Sequence, residues 1–280
     1  MSMPTMDDAA KVLADPTAYA DDARLHTALA HLRANNPVAW VDNPPYRPFW
    51  AITKHADIMA IERDNNLFLS TVSLLDMSEG GAYVHNLLIG KIISRPEPNR
   101  STPYHLPHST AVAGLAKIQG GDNRFYNNIL VGEGESAAST VKAASNKAQD
   151  AAGFGLWVYD SRELPLAATG NAYYKGARPY SKEMNHVTQP AVDPKVEVVA
   201  EGNQVTLHLN FGPGVKQAGT TFVTTALLGK AKIPGLPYEN ADSSSLKIDT
   251  DYFGKKRNER SLTIGPFEAL GAGPVILKVW

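Results

Sequence analysis

Three acidic residues sit inside motif-like blocks of this chain: Asp76, Glu97 and Asp122. A pair of carboxyl groups can do general acid–base work, one giving a proton while the other accepts one. Asp122 is the first choice, because the run Arg124-Phe125-Tyr126 follows it. Arg124 and Tyr126 would then meet the substrate. Equally, Asp122 could cap the Gly120-Gly121 turn. Asp76 could cap a turn before Ser78, and Glu97, in a proline-rich stretch, could simply be solvated. A second block holds Arg100, Tyr104, His105 and His108. Aromatic rings pack on the apolar face of a pyranose, and His and Arg donate to its hydroxyls. Alternatively, Pro103 and Pro107 fix a loop whose histidines satisfy buried backbone groups. His105 and His108 are three apart, but Pro107 between them breaks the helix that a two-histidine metal site would use. No metal is expected. The chain has no cysteine, which removes disulfides, thiolate nucleophiles and every thiolate-held metal or haem. No cofactor is expected.

The elements that must position these residues change character along the chain. Residues 1–70 contain none of the 22 glycines, where average usage of about 7% predicts roughly five. They carry a net charge of -3 against +2 for the rest. Leu25, Ala28, Leu29 and Leu32 form the i, i+3, i+4, i+7 stripe of an amphipathic helix over 22–35, ended by Asn36-Pro37. Val38–Val41 and Phe49–Ile52 read as a hairpin around a loop with three prolines. Thr53 is a candidate N-cap for a helix over 54–65, with Ile58 and Ile61 inward.

After residue 70, short apolar runs alternate with Gly and Asn. A loose motif recurs: Asn86-Leu87-Leu88-Ile89-Gly90, Asn128-Ile129-Leu130-Val131-Gly132 and Asn171-Ala172-Tyr173-Tyr174-Lys175-Gly176. The asparagines lie 42 and 43 residues apart. Each run is a strand opened by Asn and closed by a Gly free to take φ > 0. The period fits two coils of a parallel β-helix, one coil with a long excursion, or recurrent turn chemistry alone. From about Pro194, 195–199 and 205–209 alternate cleanly around Glu201-Gly202-Asn203 as a hairpin. Residues 220–228 and 275–280 are further strand candidates, and 194–280 reads as a small antiparallel β-sandwich. The expected fold is therefore mostly β: partial parallel β-helix coils over 71–193, the β-sandwich over 194–280, and a short α+β segment over 1–70.

Composition excludes some partners. The net charge of -1 points to neither nucleic acid nor a membrane surface. No apolar run approaches the roughly 20 residues of a membrane span. The start carries Asp7 and Asp8 and no basic apolar stretch, so no secretory signal is expected in this chain. Localisation and oligomeric state are left open.

Two resemblances add to this reading. Pro37-Val38 and the run Trp50-Ala51-Ile52-Thr53-Lys54-His55-Ala56-Asp57-Ile58 resemble the N-terminus of a bacterial cytochrome P-450. That family's Glu-x-x-Arg pair and haem-binding cysteine have no counterpart here, so monooxygenase activity is not expected. The second resemblance rests on the blocks at 76–87, 100–110, 120–128 and 252–258. They include Asp76-Met77-Ser78-Glu79-Gly80-Gly81, Arg100-Ser101-Thr102-Pro103-Tyr104-His105, Gly120-Gly121-Asp122-Asn123-Arg124 and Tyr252-Phe253-Gly254-Lys255-Lys256. They resemble the C-terminal part of right-handed parallel β-helix glycoside hydrolases of the β-xylosidase type. This resemblance implies action on plant-type oligosaccharides such as xylosides, with a carboxylate pair and a carbohydrate partner. Ala111 stands where the family's His-Ser-Thr is commonly followed by an acid, which implies impaired turnover. Two unrelated resemblances also allow a non-catalytic chimera.

Overall fold

The computed structural model describes residues 7–44, 49–54, 67–134, 141–147, 149–201, 204–212, 220–268, 270–271 and 273–279. The chain divides into two compact units, Met1–Asp64 and Asn65–Trp280.

In the first unit, helices α1 (Asp8–Leu13) and α2 (Asp22–Asn35) precede a hairpin of β1 (Val38–Val41) and β2 (Phe49–Ile52). Asp7 and Asp21 cap the two helices through their side chains, as their position before the first turn predicts. The stripe on α2 buries Ala28 and Leu32, and Leu32 joins Ala10, Ala14, Ala39 and Val41 in a small core. β1 and β2 pair antiparallel, Val38 opposite Ile52 and Val41 opposite Phe49. The expected helix over 54–65 lies, beyond Lys54, outside the described residues.

The second unit is mostly β. Its first strands are β3 (Leu67–Phe68), β4 (Val72–Asp76), β5 (Ala82–Val84), β6 (Leu87–Leu88) and β7 (Lys91–Ser94). A long hairpin follows, β8 (Glu97–His105) and β9 (Val112–Ile118), then β10 (Arg124–Tyr126) and β11 (Ile129–Val131). β12 (Ala151–Gly153), β13 (Ala167–Thr169), β14 (Ala172–Tyr174) and β15 (Val187–Gln189) complete the stacked region. Parallel pairing builds two ladders, β5-β10-β13 and β3-β6-β11-β14-β15. β4 also pairs parallel with β7, while β12 joins β7 antiparallel. Leu87, Ile129 and Ala172 are direct ladder neighbours. Each interval of 42 or 43 residues is therefore one circuit of the chain with a long excursion. The β8–β9 hairpin is one such excursion.

The repeated asparagines explain how so polar a sequence stacks. Asn86, Asn128 and Asn171 are all buried, each just after a residue in the left-handed region: His85 at φ 57°, Asn127 at 57° and Gly170 at 72°. Asn86 donates its amide to Asn128 Oδ1 at 3.0 Å, and Asn128 donates to Asn171 Oδ1 at 2.9 Å. Asn171 donates to Glu183 Oε1 at 2.7 Å. Each acceptor oxygen also takes the backbone N–H of the preceding asparagine in the series. Both halves of the Asn128 and Asn171 amides are thus used in a buried setting, the condition for burying such groups without penalty. Burial pushes the Glu183 carboxyl upward, while the donating Tyr173 hydroxyl and Asn171 amide pull it partly back. Of the closing glycines only Gly176 takes a positive φ, 82°, while Gly90 and Gly132 serve close approach instead. A Cβ on Gly132 would lie 2.4 Å from the Lys175 carbonyl oxygen of the next circuit.

Side chains of the ladders fill two cores. Phe125, Leu130, Tyr159 and Tyr173 lie in one, with Tyr83 stacked on Phe125 at 4.6 Å. The other joins Leu87, Ile129, Ala172 and Tyr174 to Leu207, Leu209 and Phe211. Those last residues belong to, or follow, an antiparallel sheet of β16 (Glu197–Glu201), β17 (Gln204–Leu209) and β20 (Val275–Lys278). β18 (Val223–Thr224) and β19 (Lys247–Ile248) form a separate small pair. The apolar face of β17 meets the ladder, Leu207 and Leu209 packing with Leu87, Ile129 and Tyr174. Within 220–228, only Val223–Thr224 is strand. Thr224 caps a helical turn, α3 (Thr225–Leu228).

Two outcomes test the amide chain. Asn128→Leu strands both donors of Asn86 and takes one of two donors from the Asn171 oxygen, and should cost about 3 kcal/mol in urea unfolding. Glu183 has its folded pKa raised above the ordinary 4.5. Its contribution is then fullest in acid and is lost as pH rises from 4.5 through the folded value. Wild type should therefore lose stability relative to Glu183→Gln over that rise. A pH-independent difference would refute this.

Candidate functional site

Arg124 opens β10 with a guanidinium that is almost fully buried. Its Nε donates to the Leu228 carbonyl at 3.0 Å, and its other nitrogens reach the Lys230 and Asp122 carbonyls. Asp122 Oδ1 pairs with the guanidinium at 2.8 Å, and Asp122 Oδ2 accepts the Lys232 N–H at 2.6 Å. These two residues pin 228–232 to the stack. The guanidinium also lies over the Tyr238 ring, 5.0 Å from its centroid. The Tyr238 hydroxyl donates to the Gly80 carbonyl at 2.7 Å. Burial pushes that phenol up to about 12, so it stays protonated at neutral pH.

The ring held this way forms one wall of a cleft of about 370 Å³, with Leu236, Pro237, Glu239 and Leu246. Pro107 and His108, at the tip of the β8–β9 hairpin, form the other wall. His108 Nε2 meets Glu239 Oε1 at 2.8 Å across it. An aromatic face beside a donor–acceptor pair is the chemistry that binds a neutral pyranose. Glu239 and Tyr238 lie in a Pro-Tyr-Glu-Asn segment that reads as an ordinary turn, and sequence reasoning missed both. A tyrosine flanked by proline and an acid was the available signal.

The sequence-predicted residues separate into three groups. Of the hairpin residues, only His108 lines the cleft. Arg100 is exposed on β8, Tyr104 packs its ring against Gly114, and His105 Nδ1 contacts the Thr110 carbonyl at 3.0 Å, closing the turn. Glu97 starts β8 opposite Ile118, half-buried. Asp122, Arg124 and Tyr126 lie behind the cleft. Tyr126 is buried with Val84, Val223 and Leu228.

Asp76 is deeper still. It accepts from Ser78, from Asn123 Nδ2 at 2.7 Å and from the Tyr159 hydroxyl at 2.9 Å. Between Asp76 and Asp122 stands Glu79, a further carboxyl missed in the sequence. Its Oε1 takes the backbone N–H groups of Gln119 and Gly120. Burial raises its pKa, those amides pull it back, and the charges of Asp76 and Asp122 push it up again. Among the described residues, no group of three or more His, Asp or Glu side chains could hold a metal ion.

No family model matches the chain. The solved complex of XylC with xylose is similar at 35% identity and TM-score 0.65, over 78% of this chain. This chain spans 35% of the length of that one. Cytochrome P450-terp of a Pseudomonas species is 42% identical over 53 residues, 19% of this chain and 12% of the relative.

Arg124→Met should remove three donated bonds and leave the Asp122 carboxylate buried without its cation. A loss of about 3–5 kcal/mol is expected in chemical denaturation. Arg124→Lys should recover only part, because one ammonium cannot serve the spread acceptors of a guanidinium.

Proposed function

We propose that this is a glycoside hydrolase-like protein whose second unit binds xylose-type pyranosides in the cleft between Tyr238 and the β8–β9 tip. One observation carries this reading: a buried Arg124–Asp122 pair fixes an aromatic wall opposite a His108–Glu239 pair, in a chain similar to a protein solved with xylose. The ladders would be coils of a right-handed parallel β-helix over 71–193. The strands of 194–280 would complete a β-sandwich against it. Arg100, Tyr104 and His105 would extend the sugar contact along the hairpin.

Turnover is a separate question from binding. Glycoside hydrolysis normally uses two carboxyl groups about 5–5.5 Å apart for retention or about 6.5–9.5 Å for inversion. Asp76 and Asp122 are the notional pair, with Glu97 or Glu79 as a donor. Yet the oxygens of Asp76 and Asp122 already accept internal bonds, and Ala111 follows His108-Ser109-Thr110. We therefore read the chain as a binder with little or no hydrolysis. A second reading, a non-catalytic chimera with a monooxygenase-like N-terminus, draws on the division into two units and the short likeness to cytochrome P450-terp.

Titration with methyl β-xyloside, alongside an aryl β-xyloside assay, tests both parts. Saturable binding that Tyr238→Ala weakens about tenfold or more, without turnover, is the expected result. Binding untouched by Tyr238→Ala would refute the cleft. Turnover that Asp122→Asn abolishes would restore a catalytic Asp122.

A further inference from the structure

His85 is fully buried, one residue before the first asparagine of the relay, and its backbone is left-handed at φ 57°. Its two ring nitrogens face different groups. Nδ1 lies 3.2 Å from the Gly265 carbonyl oxygen, which can only accept, so Nδ1 carries the proton. Nε2 is then bare and accepts from Asn127 Nδ2 at 3.2 Å. The same Asn127 nitrogen donates its second hydrogen to the Thr221 carbonyl at 3.0 Å. The Gly265 N–H returns a bond to the Asn127 carbonyl at 2.7 Å. A neutral imidazole thus helps tie the ladder to Thr221 on one side, and to Gly265 on the other, of the stretch 222–249 that carries Tyr238.

The charged group facing this ring is a cation. Arg257, itself buried, donates to the carbonyls of Thr250, Thr263, Gly265 and Pro266. The Gly265 oxygen therefore serves His85 and Arg257 together. Glu268, 3.6 Å away, and Asp251 balance the guanidinium. Among the described residues, no carboxylate bonds to the imidazole. Burial, and then the Arg257 charge, hold the His85 pKa well below its ordinary 6.5, against a smaller upward pull from Gly265. A second proton would set Nε2–H against the Asn127 N–H groups, donor to donor, and would add a second buried cation beside Arg257.

We propose that His85 is a proton-operated latch: neutral, it holds Thr221 and Gly265 to the ladder corner, and protonated, it releases them. The inference does not rest on the carbohydrate reading. In the released state the ring regains its ordinary pKa of 6.5 and binds more protons than the latched ring. The latch is therefore fully favoured above pH 6.5. It weakens about tenfold per unit as pH falls from 6.5 toward the latched pKa.

Amide hydrogen exchange of the full chain between pH 7 and pH 5, corrected for intrinsic rates, reads the latch at the Gly265 N–H. Its protection should fall about tenfold per pH unit below 6.5 and stay weaker than that of the Ile129 and Ala172 amides on the ladder. In His85→Asn, whose new residue tolerates the left-handed backbone, Gly265 protection should no longer follow pH. Nitrogen shifts of the wild-type ring need no variant, and at pH 7 they should report a neutral Nδ1–H imidazole. Flat Gly265 protection in wild type, or the same pH response in His85→Asn, would overturn the latch. So would an Nε2–H or charged ring at pH 7. Protection equal to that of Ile129 and Ala172 would mean that Gly265 is freed only by global unfolding, and would overturn it too.

Discussion

The amide relay from Asn86 through Asn128 and Asn171 to Glu183 is the constraint on which the second unit depends. Ladder rungs of two or three residues cannot hold parallel strands in register by themselves. Side-chain alternation needs a longer run to make a slip costly. The relay supplies what the rungs lack. Each amide fits only one neighbour, and a shift by one residue would strand donors and acceptors in a dry interior. The relay also has a direction. Every amide donates toward Glu183, and the carboxylate ends the series because it only accepts when ionised.

The same economy appears around the cleft. Asp122 and Arg124 precede the second asparagine corner, and their backbone N–H groups are held by the Leu164 and Gly81 carbonyls of the neighbouring circuits. They in turn fix a distant segment, from Leu228 to Tyr238, that has no long strand or helix of its own. Rigidity thus passes from ladder to clamp to ring. Both oxygens of Asp122 are occupied by this task. The carboxyl that looks most reactive by sequence is the one most committed to holding the wall.

Legibility followed the length over which a signal repeats. Helix α2 and the β1–β2 hairpin were plain, because a four-residue stripe or strand announces its own period. The three asparagines were legible as a recurrence, and their 42-residue spacing matches ladder neighbours. Glu183 was invisible, since Ser181-Lys182-Glu183-Met184 reads as a solvated turn. Nothing local marks that Asp122 caps the N–H of Lys232, 110 residues later. Tyr238 and Glu239 were hidden for the same reason: their meaning lies in what the fold brings opposite them. The strand expected over 220–228 yielded to a helical turn because Thr224 offered its hydroxyl as a cap.

Successive rungs of the long ladder are separated by 20, 42, 43 and 15 residues. The entropy of closing a flexible loop grows only with the logarithm of its length, so the longest circuit costs about 1 kcal/mol more to close than the shortest. Insertions between rungs are therefore cheap. The ladder behaves as a chassis on which excursions such as the β8–β9 arm can be lengthened, shortened or exchanged while the register stays put. Grafting a different hairpin between Ser94 and Gly120 is the natural way to give this scaffold a new recognition surface.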